Sequence, residues 1–98
     1  MTTRSIPSET PVLFDLGRKA ITPGVNAQLH PIEILRALDR HAQGDWGDVC
    51  TQDRHANDAA VTNGTRLLSA YDSTKGVRFW IITEADRSAT TVLLPEEY

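Results

Sequence analysis

The stretch TRLLSAYDSTKGVRFWIITEADRSATTVLLPEEY, residues 65–98, decides the fold of this chain. It holds three runs rich in β-branched and aromatic residues, a composition typical of β-strands. Two short polar segments, residues 73–76 and 83–88, separate the runs and predict turns. Because such short connections join antiparallel neighbours, the stretch predicts a β-meander. Its middle strand is the most apolar run, residues 79–82.

A first amphipathic helix is predicted upstream, beginning at His30-Pro31 and ending at Gly44. Proline is well tolerated at the first helical position, since its missing N–H would be unpaired there anyway. The three- and four-residue spacing of the next apolar positions places them on one face, which we expect to be buried. That face consists of Ile34, Leu35, Leu38, His41 and Ala42.

A second helix is predicted from an N-cap at Thr51 to about Thr62, and Asn63-Gly64 is a strong signal for its end. Its expected buried side is built from small side chains. The helix can therefore approach its support closely but gains little from apolar burial. These side chains are Ala56, Ala59, Ala60 and Val61.

The N-terminal part of the chain has a weaker pattern. Residues 1–11 contain two prolines and several hydroxyl residues, which predicts a flexible arm. Two short runs on either side of Gly17 predict a small hairpin or one bent strand, followed by a helical turn as far as residue 28. The whole pattern indicates a single α+β domain, residues 12–98. In it, an antiparallel sheet of three to five strands, the C-terminal meander plus the N-terminal hairpin or strand, packs against two α-helices.

Composition excludes several classes of function. The net charge of −3 disfavours a duplex-DNA binder, which needs a basic face, but leaves RNA contact open. No run approaches the ~18 apolar residues of a membrane span, and the first residues lack the apolar core of a signal peptide. We therefore expect a cytoplasmic protein without membrane contact. Cys50 is the single cysteine, so an internal disulfide is excluded.

No cofactor or metal site is expected from the motifs present. Asp45, Asp48 and Asp53 lie close together in sequence, but their spacing is not that of a calcium-binding loop. Capping of the second helix by Asp48 or Thr51, and capping of the preceding loop by Asp45, explains these residues without a metal.

The turn at residues 83–88 allows two interpretations. Its acidic and hydroxyl side chains can bind the turn's own backbone, with Arg87 folding back onto a carboxylate. Alternatively, Asp86 and Arg87 form a polar hot spot for a protein partner, together with Trp46. Trp46 itself is either an anchor that fixes its glycine-rich loop to the core or an exposed recognition side chain.

His41 supports a second, catalytic hypothesis. A histidine on a helix that faces a small sheet bearing arginine and hydroxyl residues is an arrangement used by compact metal-independent ribonucleases and toxins. There the histidine moves the 2′-OH proton and an arginine stabilises the phosphorane charge. The residues available for these roles are His41, Arg66, Tyr71, Arg87 and Thr90 or Thr91. The simpler interpretation is a core histidine with hydrogen-bonded ring nitrogens.

The chain also resembles a family of small bacterial proteins described as plasmid-related. The similarity covers roughly residues 14–98. It is carried by TPG at 22–24, RHAQGDWGD at 40–48, RLLSAY at 66–71 and FWIITEADRSATTVLLPEEY at 79–98. The resemblance implies a plasmid or other mobile-element context and no established activity.

Together these observations favour a non-enzymatic binding or regulatory protein of a bacterial mobile element, acting through protein–protein interaction. Components of host defence are among its expected targets. The alternative is the ribonuclease or toxin described above. We also expect this protein to be able to self-associate. Its strand at residues 90–94 is predicted to form an unpaired sheet edge.

Overall fold

The structure is a computed structural model that describes residues 12–98, and the predicted arm, residues 1–11, lies outside the described residues. Within residues 12–98, four strands, three α-helices and a final 3₁₀ turn follow one another. They are β1 (Arg18–Ile21), α1 (Pro23–Gln28), α2 (Pro31–Ala42), α3 (Thr51–Asn63), β2 (Leu67–Asp72), β3 (Arg78–Thr83), β4 (Ala89–Leu93) and the turn Pro95–Glu97.

The predicted α+β class and the C-terminal meander are confirmed. β2 pairs antiparallel with β3, and β3 pairs antiparallel with β4, so the apolar β3 is an internal strand. The prediction of a purely antiparallel sheet is wrong, because β1 joins β4 in parallel and gives the order β1-β4-β3-β2. The helices between β1 and the meander supply the long connection that a parallel neighbour requires.

The pairing of β1 decides one open alternative and corrects one further prediction. The N-terminal segment forms one strand rather than a hairpin, since residues 12–17 are not in a strand and the N–H of Leu13 donates to the carbonyl of Ala42 instead. In addition, β4 is not an edge strand, because β1 covers the side that was predicted to be open. Gly17 permits this close approach, since a Cβ at this position would collide with the backbone of Ser88.

The core lies between the sheet and helices α1 and α2. Alternate residues of each strand face this side, as the period-two pattern of the meander predicts. The main cluster comprises Val25, Leu29, Ile34, Ala37, Leu38, Tyr71, Phe79, Ile81, Val92 and Leu94. A smaller cluster of Trp46, Ala60 and Leu67 continues it towards α3.

Helix α2 begins and ends as predicted, with one residue of its apolar face misplaced. His30 is the N-cap and accepts a hydrogen bond from the N–H of Ile32 through Nδ1. Ile34, Leu38 and His41 are buried, whereas Leu35 is 62% exposed. Leu35 lies at the margin of this face, beside a surface groove that β1 also lines.

Helix α3 lies beside the sheet rather than squarely on its face, which changes its buried side. Its N-cap is Cys50 and not Thr51, and the buried residues are Asn57 and Ala60. Val61 is partly buried, while the predicted core residues Ala56 and Ala59 are exposed. The contact is therefore narrow, and it depends on a polar side chain that pairs with strand backbone.

Candidate functional site

His41 is completely buried and belongs to a chain of hydrogen bonds beneath the sheet. Its Nδ1 contacts Ser69 Oγ on β2, and its Nε2 lies 2.9 Å from Thr83 Oγ1 on β3. Thr83 Oγ1 lies 2.8 Å from Thr90 Oγ1 on β4. Thr90 in turn donates to the carbonyl of Leu16 at 2.7 Å.

The carbonyl of Leu16, where this series of hydrogen bonds ends, determines which group is the donor in each bond. A carbonyl can only accept, so Thr90 donates to Leu16 and accepts from Thr83. Thr83 therefore accepts from His41, which places the imidazole proton on Nε2. Nδ1 is then the acceptor for the Ser69 hydroxyl. All polar atoms of this network are satisfied, as buried polar groups require.

Burial lowers the pKa of His41 to about 4, and the positive charge of Arg87 acts in the same direction. The ring is also enclosed edge-to-face by Phe14 and Trp46. His41 is consequently neutral near pH 7 and has no exposed atom with which to reach a substrate. Its geometry fits the interpretation as a core histidine.

Three other residues of the ribonuclease hypothesis, Arg66, Tyr71 and Thr91, do not converge on His41. Arg66 precedes β2 with its side chain on the opposite side of the sheet, where it stacks over Tyr98 and donates to its hydroxyl at 2.8 Å. Tyr71 is buried and donates to the carbonyl of Asp45, and burial raises the pKa of Tyr71 to about 12. Thr91 also faces away from His41, since its neighbour Thr90 occupies the helix side of β4.

Arg87 supports the backbone rather than presenting a free charge. Its guanidinium donates to the carbonyls of Thr65, Glu84, Ala85 and Ala60, and the last of these lies at the C-terminal end of α3. The expected fold-back onto a carboxylate is therefore replaced by carbonyl contacts. Hydrogen bonds from the side chain and then the N–H of Ser88 hold the pKa of the exposed Asp86 carboxyl below its usual range. The turn is thus satisfied internally.

Trp46 is an anchor, since only 1% of its surface is exposed. Its Nε1 donates to Asp58 of α3 at 2.8 Å, and its ring stacks with Phe14. A partner could reach this indole only after the loop had opened. Asp45 and Asp48 of the same loop form salt bridges with Arg40 and Arg78, each at 2.7 Å.

The edge of the sheet at β2 is covered. The carboxamide of Asn57 accepts from the N–H of Leu68 and donates to its carbonyl, at 3.2 and 2.7 Å. Ala70, the next residue whose backbone points outward, donates to the carbonyl of Trp46 and accepts from the N–H of Asp48. These outward groups therefore have no capacity left for another strand.

No residue between 12 and 98 covers the edge at β1. The N–H groups of Arg18 and Thr22 donate to Ser88 and Val92 on the β4 side. Backbone groups alternate between the two sides of a strand, so those of Lys19 and Ile21 point away from the sheet. No hydrogen bond joins them to any residue between 12 and 98, and all four residues of β1 are exposed.

An apolar groove of about 340 Å³ runs beside this edge, between β1 and the first two helices. Leu29, Ile34 and Leu38 form its floor, each less than 8% exposed. Ile21 and Leu35 form its rims and are 44% and 62% exposed. An open strand edge next to an apolar groove can hold an extended peptide through main-chain bonds and one side-chain pocket.

This surface contains none of the site residues expected from sequence. One indication of this surface in the sequence is Leu35, which lies at the margin of the apolar stripe of α2 and is absent from its buried residues. A second indication is that Lys19 and Ile21 are two residues apart and share one face of β1. What this implies depends on which strand pairs with β1.

Comparisons with protein-family models, with curated proteins and with solved structures found no match for this chain. Within the described part of the chain, no helix is long and apolar enough to cross a membrane. Between residues 12 and 98, no group of three or more His, Cys, Asp or Glu side chains is placed to hold a metal ion.

Proposed function

We propose that this chain is a non-enzymatic protein-binding domain whose β1 edge takes up an extended segment of a partner protein as a fifth strand. One observation carries the proposal: the outward backbone groups of Lys19 and Ile21 lie next to the apolar groove. The main chain of the partner would bond to β1, while one of its side chains enters the groove beside Leu35.

The residues first considered for catalysis support a binding role over a ribonuclease. His41 is sealed beneath the sheet, and Arg66 lies on the opposite side of it. No observation on the described residues favours a shared site for a phosphodiester. In the mobile-element context implied by the resemblance, the partner would be a host or plasmid protein in the cytoplasm, such as a component of host defence.

A library of random linear peptides displayed on phage tests this proposal, because the selection works with a partner that is still unidentified. We expect the selected peptides to slow amide hydrogen exchange at Lys19 and Ile21, because the new strand would occupy these donors. We also expect Leu35→Asp to weaken binding at least tenfold, since it places a charge on the rim of the groove.

Ile32→Asp is the matched control, because Ile32 is an exposed apolar residue of the same helix that does not line the groove. It should leave affinity unchanged. Failure to select any peptide would contradict the proposal, as would selected peptides that bind wild type and Leu35→Asp equally well.

A further inference from the structure

The two charged side chains of β1 are both cationic and both available. Neither Arg18 nor Lys19 forms a salt bridge or a side-chain hydrogen bond with any residue from 12 to 98. Two other arginines in this range, Arg40 and Arg78, pair with aspartates, whereas Arg36 has no such partner there. The β1 edge of a chain whose net charge is −3 therefore carries two cationic side chains without a partner among residues 12–98.

The faces of β1 specify where an added strand would need each kind of side chain. Lys19 and Ile21 lie on the groove side, whereas Arg18 and Ala20 lie on the opposite side. Residues directly opposite each other on neighbouring strands interact, and opposite charges there are favourable. Carboxylates therefore suit the positions opposite Arg18 and Lys19. A large apolar side chain suits the position opposite Ile21, where it can enter the groove.

We propose that the occupant of this edge is an acidic extended segment with two adjacent carboxylate residues, one spacer residue and one large apolar residue. This inference rests on the proposed function and identifies the chemical class of its partner. The order of the signature along the partner depends on strand direction. A parallel strand presents the carboxylates first, and an antiparallel strand presents the apolar residue first.

A second copy of the chain is a poorer occupant of the same edge. If the outward groups of Lys19 and Ile21 exchanged bonds with a second β1, Ala20 would lie opposite its own counterpart. The seam would then hold two copies of Arg18 and two of Lys19 without any carboxylate of the strand to balance them. Charged side chains on an edge strand commonly prevent such self-pairing.

Synthetic decapeptides with identical Thr/Ser flanks test the signature by fluorescence anisotropy. Their cores are Glu-Glu-Thr-Leu, the reverse core Leu-Thr-Glu-Glu, the neutral Gln-Gln-Thr-Leu with its reverse, and Glu-Glu-Thr-Ser. We expect one of the acidic peptides with leucine to bind about tenfold tighter than its neutral counterpart at low salt, the sum of two exposed ion pairs. This preference should shrink as salt is added. The serine peptide should bind at least tenfold more weakly than its leucine counterpart.

Charge-removing variants locate the effect. The double variant Arg18→Gln and Lys19→Gln should bind acidic and neutral peptides equally. The matched control, Arg36→Gln with Lys75→Gln, removes the same charge from exposed positions outside the groove and should keep the preference.

The three failures are distinct. If neutral and acidic peptides bind equally and both depend on Leu35, the inference is wrong and the proposed function stands. If no peptide shows binding that depends on Leu35, both are wrong. If sedimentation shows a dimer that Leu35→Asp dissociates, the occupant is a second copy and the acidic signature is overturned.

Discussion

The two edges of the sheet differ in whether their outward backbone groups are hydrogen-bonded. At β2, the side chain of Asn57 and the loop after α2 take up the outward donors and acceptors of Leu68 and Ala70. At β1, the corresponding groups of Lys19 and Ile21 meet no described residue, and an apolar groove lies beside them. Unpaired strand edges promote aggregation unless they are protected. The β1 edge, which no described residue covers, is for this reason the surface on which the proposed binding function rests.

The largest expected effect tests how the β2 edge is closed. Gly47→Ala should lower the free energy of unfolding by about 4 kcal/mol, because the residue has a φ of +75° and a Cβ would collide with the carbonyl of Ala70. Gly76→Ala is the matched control. Its φ of +82° carries similar strain, but no atom lies within 4 Å of the added Cβ. It should cost only about 1 kcal/mol. Equal effects in urea denaturation would contradict close packing at this edge.

Much of the fold follows from local patterns. The meander could be predicted because its strands are separated by short polar turns and alternate in polarity, so pairing and facing follow from neighbours in sequence. The ends of α2 follow from Pro31 and Gly44 for the same reason. β1 could not be placed in this way, since its partner β4 lies about seventy residues away in sequence.

The candidate site was harder to predict than the fold because it depends on that distant pairing. Residues that attract attention by their chemistry, such as His41 and Arg87, serve the interior and the turn. The pairing of Asn57 with strand backbone could not be predicted, because the sequence of α3 does not reveal that the helix lies along a strand edge. Exposure of Leu35 becomes evident only once the packing around α2 is known.

Acid should weaken the closed side of the sheet through His41, which links β2 to β3 and β4. Unfolding restores an ordinary pKa near 6.5, while the folded pKa is about 4. Above pH 6.5 the residue is neutral in both states and contributes no pH dependence. As pH falls from 6.5 to 4, only the unfolded state takes up the proton. The free energy of unfolding should therefore fall by about 3 kcal/mol over this window.

Urea denaturation across this pH range measures the slope, and His41→Gln should remove most of it between pH 6.5 and 5, because glutamine can bond both Ser69 and Thr83 without titrating. His55→Gln changes an exposed histidine and should retain the slope. An undiminished slope in His41→Gln would assign the acid sensitivity to other groups.

Asn57→Ala should lower the free energy of unfolding by about 2 kcal/mol. It leaves the backbone N–H and carbonyl of Leu68 without their partner at a part-buried position. Asn63→Ala removes the same side chain from an exposed site on the same helix and should change stability by less than about 0.5 kcal/mol. If the β2 edge has been opened, the Asn57 variant should also associate at high concentration, which sedimentation would detect. A monomer of unchanged stability would show that the edge needs no such cover.

The smallest effect is expected at the β1 edge. Lys19→Pro removes an N–H that points away from β4, and proline is tolerated at such positions of edge strands. The free energy of unfolding should therefore change by less than about 1 kcal/mol. The same variant should lose affinity for the peptides selected on the wild type, since an added strand needs that donor. Ala20→Pro provides the contrast, because the backbone of Ala20 faces β4 and its loss should cost about 3 kcal/mol. If the two proline variants lost the same free energy of unfolding, the backbone of Lys19 would not face outward. The proposal of an open β1 edge would then be wrong.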